Sequence, residues 1–183
     1  MPQVPHVQAT RPIYSGRIFD VFLEKIVLPN GMIKDREVIR HPGAAAMVPL
    51  LGDGRVILIK QYRHAVDRFL WEIPAGTLER GENPLECARR ELVEEIGYSA
   101  ATLEKITEIL PAPGYTDERI HIFIATDLTA APQDLDEDEV LEIEPIPFDR
   151  AIEMIGQGHI QDAKTIVGLM VCRQRRGRAH EAI

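Results

Sequence analysis

Asn83-Pro84 at one end and Gly97 at the other enclose a segment whose local chemistry dictates a helix. Asn83 can cap, Pro84 fits the first helical position, and Glu86 stands three residues after Asn83 as in a capping box. Gly97 supplies the residue that ends a helix in left-handed geometry. At about 100° per residue, Leu85, Ala88, Leu92 and Ile96 share one face. Glu91, Glu94 and Glu95 share another, about a quarter turn away. This helix must therefore bury one edge and carry three carboxylates beside it.

The segments around it alternate as strands do. Asn30-Gly31, after Pro29, predicts a tight turn between about Arg17–Leu28 and Met32–Arg40, a long antiparallel hairpin. "AAAMVPLL" and "RVILIKQYR" flank Gly52-Asp53-Gly54 and read as a second hairpin, and "FLWEIPAG" as a short strand ending in a bend. After the helix, strands are expected near Leu103–Leu110, Arg119–Thr126 and Val140–Pro147, then helices near Asp149–Gly156 and Asp162–Gln174. Met1 to Thr10 is polar and Pro-punctuated and is expected to be mobile. The basic run "RQRRGR" reads as a solvated helix end.

At 183 residues the chain is one domain's length and can bury a core without disulfides. The net charge of −8 argues against a nucleic-acid binder, which needs a positive field. Two cysteines, Cys87 and Cys172, fit a reducing compartment and read as packing or surface residues. No signal peptide or membrane-length apolar run occurs, so a cytoplasmic protein is expected. His41, His64 and His121 are scattered without ligand spacing, and no Ser, Cys or His constellation stands out.

Spacing alone leaves the three carboxylates two readings. A solvated acidic face is common. A divalent-cation site would offset the mutual repulsion at i,i+3 and i,i+4, and oxygen donors suit Mg²⁺ and Mn²⁺. The flanking residues decide. Gly76, then Glu82, then Arg90-Glu91-Leu92-Val93-Glu94-Glu95-Ile96-Gly97-Tyr98 fill the pattern G-x5-E-x7-R-E-U-x-E-E-x-G-U, with U a bulky apolar residue. A chance match has odds on the order of 10⁻⁹ per window. The chain thus resembles the Nudix hydrolase family, and over about Arg11 to Gly177 its strand order looks like that family's fold. The resemblance implies an α/β class: a Nudix α/β/α sandwich with a mixed β-sheet and an N-terminal antiparallel β-hairpin extension. Residues 1–40 would be the extension and dimerisation hairpin, and residues 41–183 the hydrolase domain.

It also implies roles. Glu91, Glu94, Glu95 and the carbonyl of Ala75 would hold two to three Mg²⁺ (or Mn²⁺) ions. Arg90 would orient the carboxylates, and Glu82 would pair with Arg90. "QYR", "WEIPAG", "PAPGYTDE", Pro113 and "GHIQDAKTIVGL" look like the ADP-ribose pyrophosphatase branch. In that branch a homodimer swaps its N-terminal hairpin, so Arg36 matches a partner-chain arginine and Arg63 a same-chain one. A guanidinium suits both, since its fork binds phosphate oxygens and its plane stacks on a base. Where some members stack adenine on an aromatic, this chain has Arg17, with Phe19 two residues on, which leaves the base preference open. The branch's mobile, water-activating glutamate matches Glu137 in the acidic loop "QDLDEDE", with Glu139 as runner-up, and Glu118 in "YTDE" is a third carboxylate that could enter the site and is read as substrate-binding.

The expected reaction is Mg²⁺-dependent hydrolysis of ADP-ribose to AMP and ribose 5-phosphate. A hydrolase of another nucleoside diphosphate sugar, such as GDP-mannose, is the alternative. The complete set of glutamates argues against a non-catalytic ADP-ribose sensor. The absence of extra Cys or His ligands argues against an isomerase on the same scaffold.

Overall fold

The structure is a computed structural model, which describes residues 3–135 and 140–181, with side chains described up to residue 177. The chain forms two compact units, residues up to Gly43 with Leu110–Arg119, and Ala44–Ile109 with the described residues from Ile120 onward.

In the first unit β1 (His6–Ser15), β2 (Asp20–Val27) and β3 (Ile33–Arg40) form an antiparallel sheet in the order β1-β2-β3. The expected hairpin is β2 with β3, in register from Asp20↔Arg40 to Val27↔Ile33. Its turn differs from the sequence reading. Only Gly31 takes positive φ, at 81°, and its N–H donates to Leu28 O at 2.9 Å. Pro29 favours the ordinary turn geometry, and Gly31 then absorbs the twist as a bulge. Within the N-terminal stretch expected to be mobile, His6–Thr10 belong to β1 and pair with β2. β1 is exposed throughout, and its ladder with β2 shifts register between Pro12 and Tyr14. Proline is tolerated there because β1 is an edge strand. The 110–119 segment joins this unit where Ile39 N–H donates to Tyr115 O and Asp117 N–H donates to Ile39 O. Arg40 bridges Asp117 at 3.0 Å and the buried Glu24 at 2.5 Å.

The second unit holds a sheet of order β7-β4-β9-β8 and another of order β10-β5-β6. Its strands are β4 (Ala44–Pro49), β5 (Arg55–Arg63), β6 (Arg68–Glu72), β7 (Ala75–Thr77), β8 (Tyr98–Ile109), β9 (Ile120–Ala130) and β10 (Leu141–Pro147). β4 and β9 run parallel, and the other pairs antiparallel. Strand alternation splits the apolar run of β4 between two cores. Ala44, Ala46 and Val48 pack in one core with Met154, Leu169 and Cys172. Ala45 and Met47 pack in the other with Cys87, Ala88, Leu92 and Ile96. Those helical residues belong to α2 (Phe148–Gly156) and α3 (Ala163–Glu181) on one side and α1 (Pro84–Ile96) on the other, which gives the α/β/α sandwich.

The second expected hairpin is not formed as a ladder. β4 and β5 belong to different sheets, because β7 and β9 take the two edges of β4, and the segment between them keeps one bridge, Leu50↔Val56. "FLWEIPAG" likewise splits. Pro74 lacks the N–H a ladder needs, and the chain leaves β6 in one sheet to enter β7 in the other. α1 is bounded as expected, with Gly97 at φ 68° donating to the carbonyls of Leu92 and Val93. The Asn83 cap bond goes to Leu85 N–H rather than to that of Glu86. α3 runs on through the basic run. Among the described residues no helix is long and apolar enough to cross a membrane.

Candidate active site

The switch of sheets at Pro74 sets Ala75 and Gly76 against α1. Met47 N–H donates to Pro74 O at 2.9 Å, and Ala75 N–H donates to Glu95 Oε2 at 2.8 Å. Glu95 is 1% exposed, so this bond meets part of the need of a deeply buried carboxylate. A Cβ on Gly76 would lie 1.8 Å from both Cδ and Oε1 of Glu91. The Glu91 carboxylate therefore occupies space that only glycine leaves open.

Arg90 is the hub. Its Nε and Nη2 donate to Glu82 at 3.1 and 3.2 Å, and its Nη1 donates to Glu91 at 2.6 Å and Glu94 at 2.7 Å. Glu82 also accepts the Glu79 N–H at 2.8 Å, which fixes the loop before α1. The Arg90 pKa is raised, first by Glu82 and, against the effect of burial, by Glu94 and Glu91. The same contact holds the Glu82 carboxyl below its ordinary range. The Arg90–Glu82 pair that the family resemblance implies is present, and Arg90 also contacts Glu91 and Glu94. Cys87, behind the hub, is fully buried, with Sγ 3.7 Å from Gly76 O. Burial, then the charges of Glu82 and Glu91, push its thiol up to about 12. Of the two expected readings, packing or surface, it is the packing residue.

Among the described residues no three His, Cys, Asp or Glu already converge as a metal-holding group. Two of the carboxylates lie on Arg90 instead. The donor set still fits a divalent cation. It is all carboxylate oxygen on adjacent turns of one helix, and Gly76 lets the Glu91 carboxylate lie against the backbone that carries the Ala75 carbonyl.

Arg63, at the end of β5, forks onto Glu72, with Nε and Nη2 each 2.8 Å from a carboxylate oxygen. Its Nη1 has no hydrogen bond among the described residues. Glu72 also receives Lys164 Nζ, an ion pair that local sequence reading missed because the two residues are 92 positions apart. An acid inside the otherwise apolar "FLWEIP" was its one signal. Burial would raise the Glu72 pKa, but Arg63 and Lys164 hold it low.

Arg17, Phe19, Arg36 and Glu118 belong to the first unit. Arg17 and Phe19 are exposed, and the Phe19 ring lies 6.2 Å from that of Tyr14. Arg36 is exposed and donates to Asp35 O. Glu118 is half-buried, with Oε1 3.9 Å from His41 Nδ1, itself the acceptor of Gly43 N–H. Glu137 and Glu139 lie outside the described residues. On either side of them, Gln133 Nε2 donates to Glu95 O at 2.6 Å, and Val140 O accepts Tyr62 N–H at 3.2 Å.

Comparison with known proteins adds an independent line. A family model described as NUDIX domain matches residues 40–167. An ADP-ribose pyrophosphatase of Bacillus subtilis (strain 168) is 41% identical over 159 residues, 86% of each chain. A methanol dehydrogenase activator of Bacillus methanolicus is 34% identical over 94% of each chain. A crystal structure of an ADP compounds hydrolase superposes with a TM-score of 0.86 over 97% of each chain at 24% identity, a likeness of fold.

Proposed function

This chain belongs to the NUDIX family, and we propose that it hydrolyses the pyrophosphate bond of ADP-ribose to AMP and ribose 5-phosphate. The observation that carries this reading is the fit of Gly76 to Glu91, with Glu95 on Ala75 N–H and Arg90 joining Glu82, Glu91 and Glu94. A site of that build presents hard oxygen donors beside a backbone with no side chain in the way. The identity to an ADP-ribose pyrophosphatase over most of both chains supports the substrate.

Glu91, Glu94, Glu95 and the Ala75 carbonyl would hold two to three Mg²⁺ or Mn²⁺ ions. Bound there, such ions neutralise pyrophosphate charge, polarise phosphorus and lower the pKa of a bound water. The chain's own residues do the rest. Ala75 N–H orients Glu95, and Glu82 keeps Arg90 in place whichever way Glu91 and Glu94 turn. Arg63 offers its outer N–H groups to phosphate oxygens, and Glu137, or Glu139 in its stead, takes the proton of the attacking water. Arg17, Phe19, Arg36 and Glu118 are assigned to substrate binding on the family resemblance. The two free cysteines accord with a cytoplasmic enzyme.

We assign the active form as a homodimer joined through the N-terminal sheet. A small sheet exposing Val7, Ile13, Tyr14, Ile18, Phe19, Met32 and Ile33 needs a surface to pack on. Sedimentation at micromolar concentration should give about twice 20.6 kDa, and a fully active monomer would refute the assignment.

Incubation with ADP-ribose and Mg²⁺ in ¹⁸O water should yield equimolar AMP and ribose 5-phosphate, one of them labelled. In a substrate panel, kcat/KM should be greatest for ADP-ribose. A clear preference for GDP-mannose would move the assignment to that sugar nucleotide. Tight binding of ADP-ribose without turnover, in either metal, would make the chain a sensor.

A further inference from the structure

The contacts that hold Arg63 do not stop at Glu72. They continue into the first turn of α3. Lys164 Nζ pairs with Glu72 Oε2, the oxygen that also accepts Arg63 Nη2, and lies 3.2 Å from Asp162 Oδ1. Asp162 Oδ2 accepts the N–H and the hydroxyl of Thr165 at 2.9 and 2.5 Å. Thr165 Oγ1 in turn accepts Ile73 N–H at 2.8 Å. One helical turn thus grips the side chain of Glu72 and the backbone of its neighbour.

The set balances two cations, Arg63 and Lys164, against two anions, Glu72 and Asp162. Glu72, Lys164 and Thr165 are all buried. The geometry shows what each part can fix. The two-point fork from Glu72 sets the plane of the Arg63 guanidinium. A carboxylate can still swivel about its own bond, and a swivel would swing that plane with it. Lys164, on one oxygen only, blocks the swivel. Asp162 and Thr165 keep Lys164 from following. Lys164 reaches Glu72 and Asp162, and Asp162 is held by Thr165.

We propose that Lys164 is a positioning residue for Arg63, acting through Glu72 and held by Asp162 and Thr165, so that the outer guanidinium edge is presented in one orientation to phosphate oxygens. This rests on the reading of Arg63 as a substrate-binding residue. A purely structural ion-pair cluster would have the same contacts, since buried pairs often serve only to neutralise each other. The two roles separate in kinetics. Arg63 would bind phosphate alike in the ground and transition states, so a loss of its orientation appears in KM.

The test is steady-state kinetics with ADP-ribose and saturating Mg²⁺. Lys164→Met should raise KM about tenfold and change kcat less than about threefold, and Lys164→Arg should recover most of the KM. In an Arg63→Ala background, Lys164→Met should change KM no further, because the residue through which it acts is gone. Thermal melts and the fluorescence of Trp71, the single tryptophan and neighbour of Glu72, show whether each variant is folded. Asp162→Asn, which keeps the shape of the cluster, should raise KM in the same direction and decides the matter alone if Lys164→Met does not fold. Unchanged KM, a fall in kcat alone, no recovery by Lys164→Arg, or an equal KM effect with and without Arg63 would overturn the proposal. Calorimetric binding of ADP-ribose in EDTA gives the same ratios as Kd without turnover. Failure of the wild type to hydrolyse ADP-ribose would therefore count against the function alone.

Discussion

Glu91→Gln, and separately Glu95→Gln, should lower kcat by on the order of 10²-fold or more at saturating Mg²⁺ while the protein stays folded. The two side chains sit on one face of α1 and meet the same short strand, Glu91 at Gly76 and Glu95 at Ala75 N–H. Glutamine keeps the size of each and retains an oxygen that can accept the Ala75 N–H, so the packing survives. It removes the negative charge that a divalent cation requires. The effect on melting temperature without metal distinguishes the two. Like charges at i,i+4 repel by only about 0.2–0.5 kcal/mol. Glu91 is buried and lies 2.6 Å from Arg90 Nη1, and charge-assisted hydrogen bonds are worth about 1.5–3 kcal/mol. Partial exposure of Arg90 reduces that figure but not below the repulsion. Glu91→Gln should therefore lower the metal-free melting temperature, rather than raise it as relief of repulsion would. Calorimetric Mg²⁺ titration and differential scanning of each variant measure both effects. Near wild-type kcat in either would remove that residue from the reaction.

How far such a site can be read in advance depends on how local its determinants are. α1 was legible to the residue because Asn83, Pro84 and Gly97 act on their own backbone. The double burial of "AAAMVP" was legible as a strand, but not its partners. The Gly52–Gly54 turn looks like a hairpin loop in sequence, but β7 and β9 take the two edges of β4 and leave β5 to pair in the other sheet. β1 escaped notice because its side chains are exposed on both faces, so no alternation marks it, and Pro12 argues against a strand unless it lies at an edge. The pairing of Glu82 with Arg90 was expected from the family motif, whereas the fit of Glu91 against Gly76 was not. Glu72 with Lys164 had no such motif, and nothing local to either residue points to a partner 92 positions away.

Glu137→Gln should lower kcat by about 10²–10⁴, the usual worth of a positioned general base, and leave KM for ADP-ribose little changed. The residue stands among Asp134, Asp136, Asp138 and Glu139, a run of charge that favours solvent when nothing positive is near. A cation-loaded site reverses that preference, because a carboxylate gains by approaching it. The described residues on either side give the segment two attachments close to the proposed chemistry. Gln133 is bonded to the carbonyl of Glu95, and Val140 to Tyr62, the residue before Arg63. KM should hold steady because binding rests on the arginines and the cations rather than on the base. Glu139→Gln should do much less. The pH profile of kcat gives a second reading, since loss of a carboxylate base should remove the acidic limb that it controls. If Glu139→Gln is the crippled variant, the role lies two residues further along. If neither substitution matters, the segment is a solvated charge run, and the proton is taken by Glu94 or Glu118.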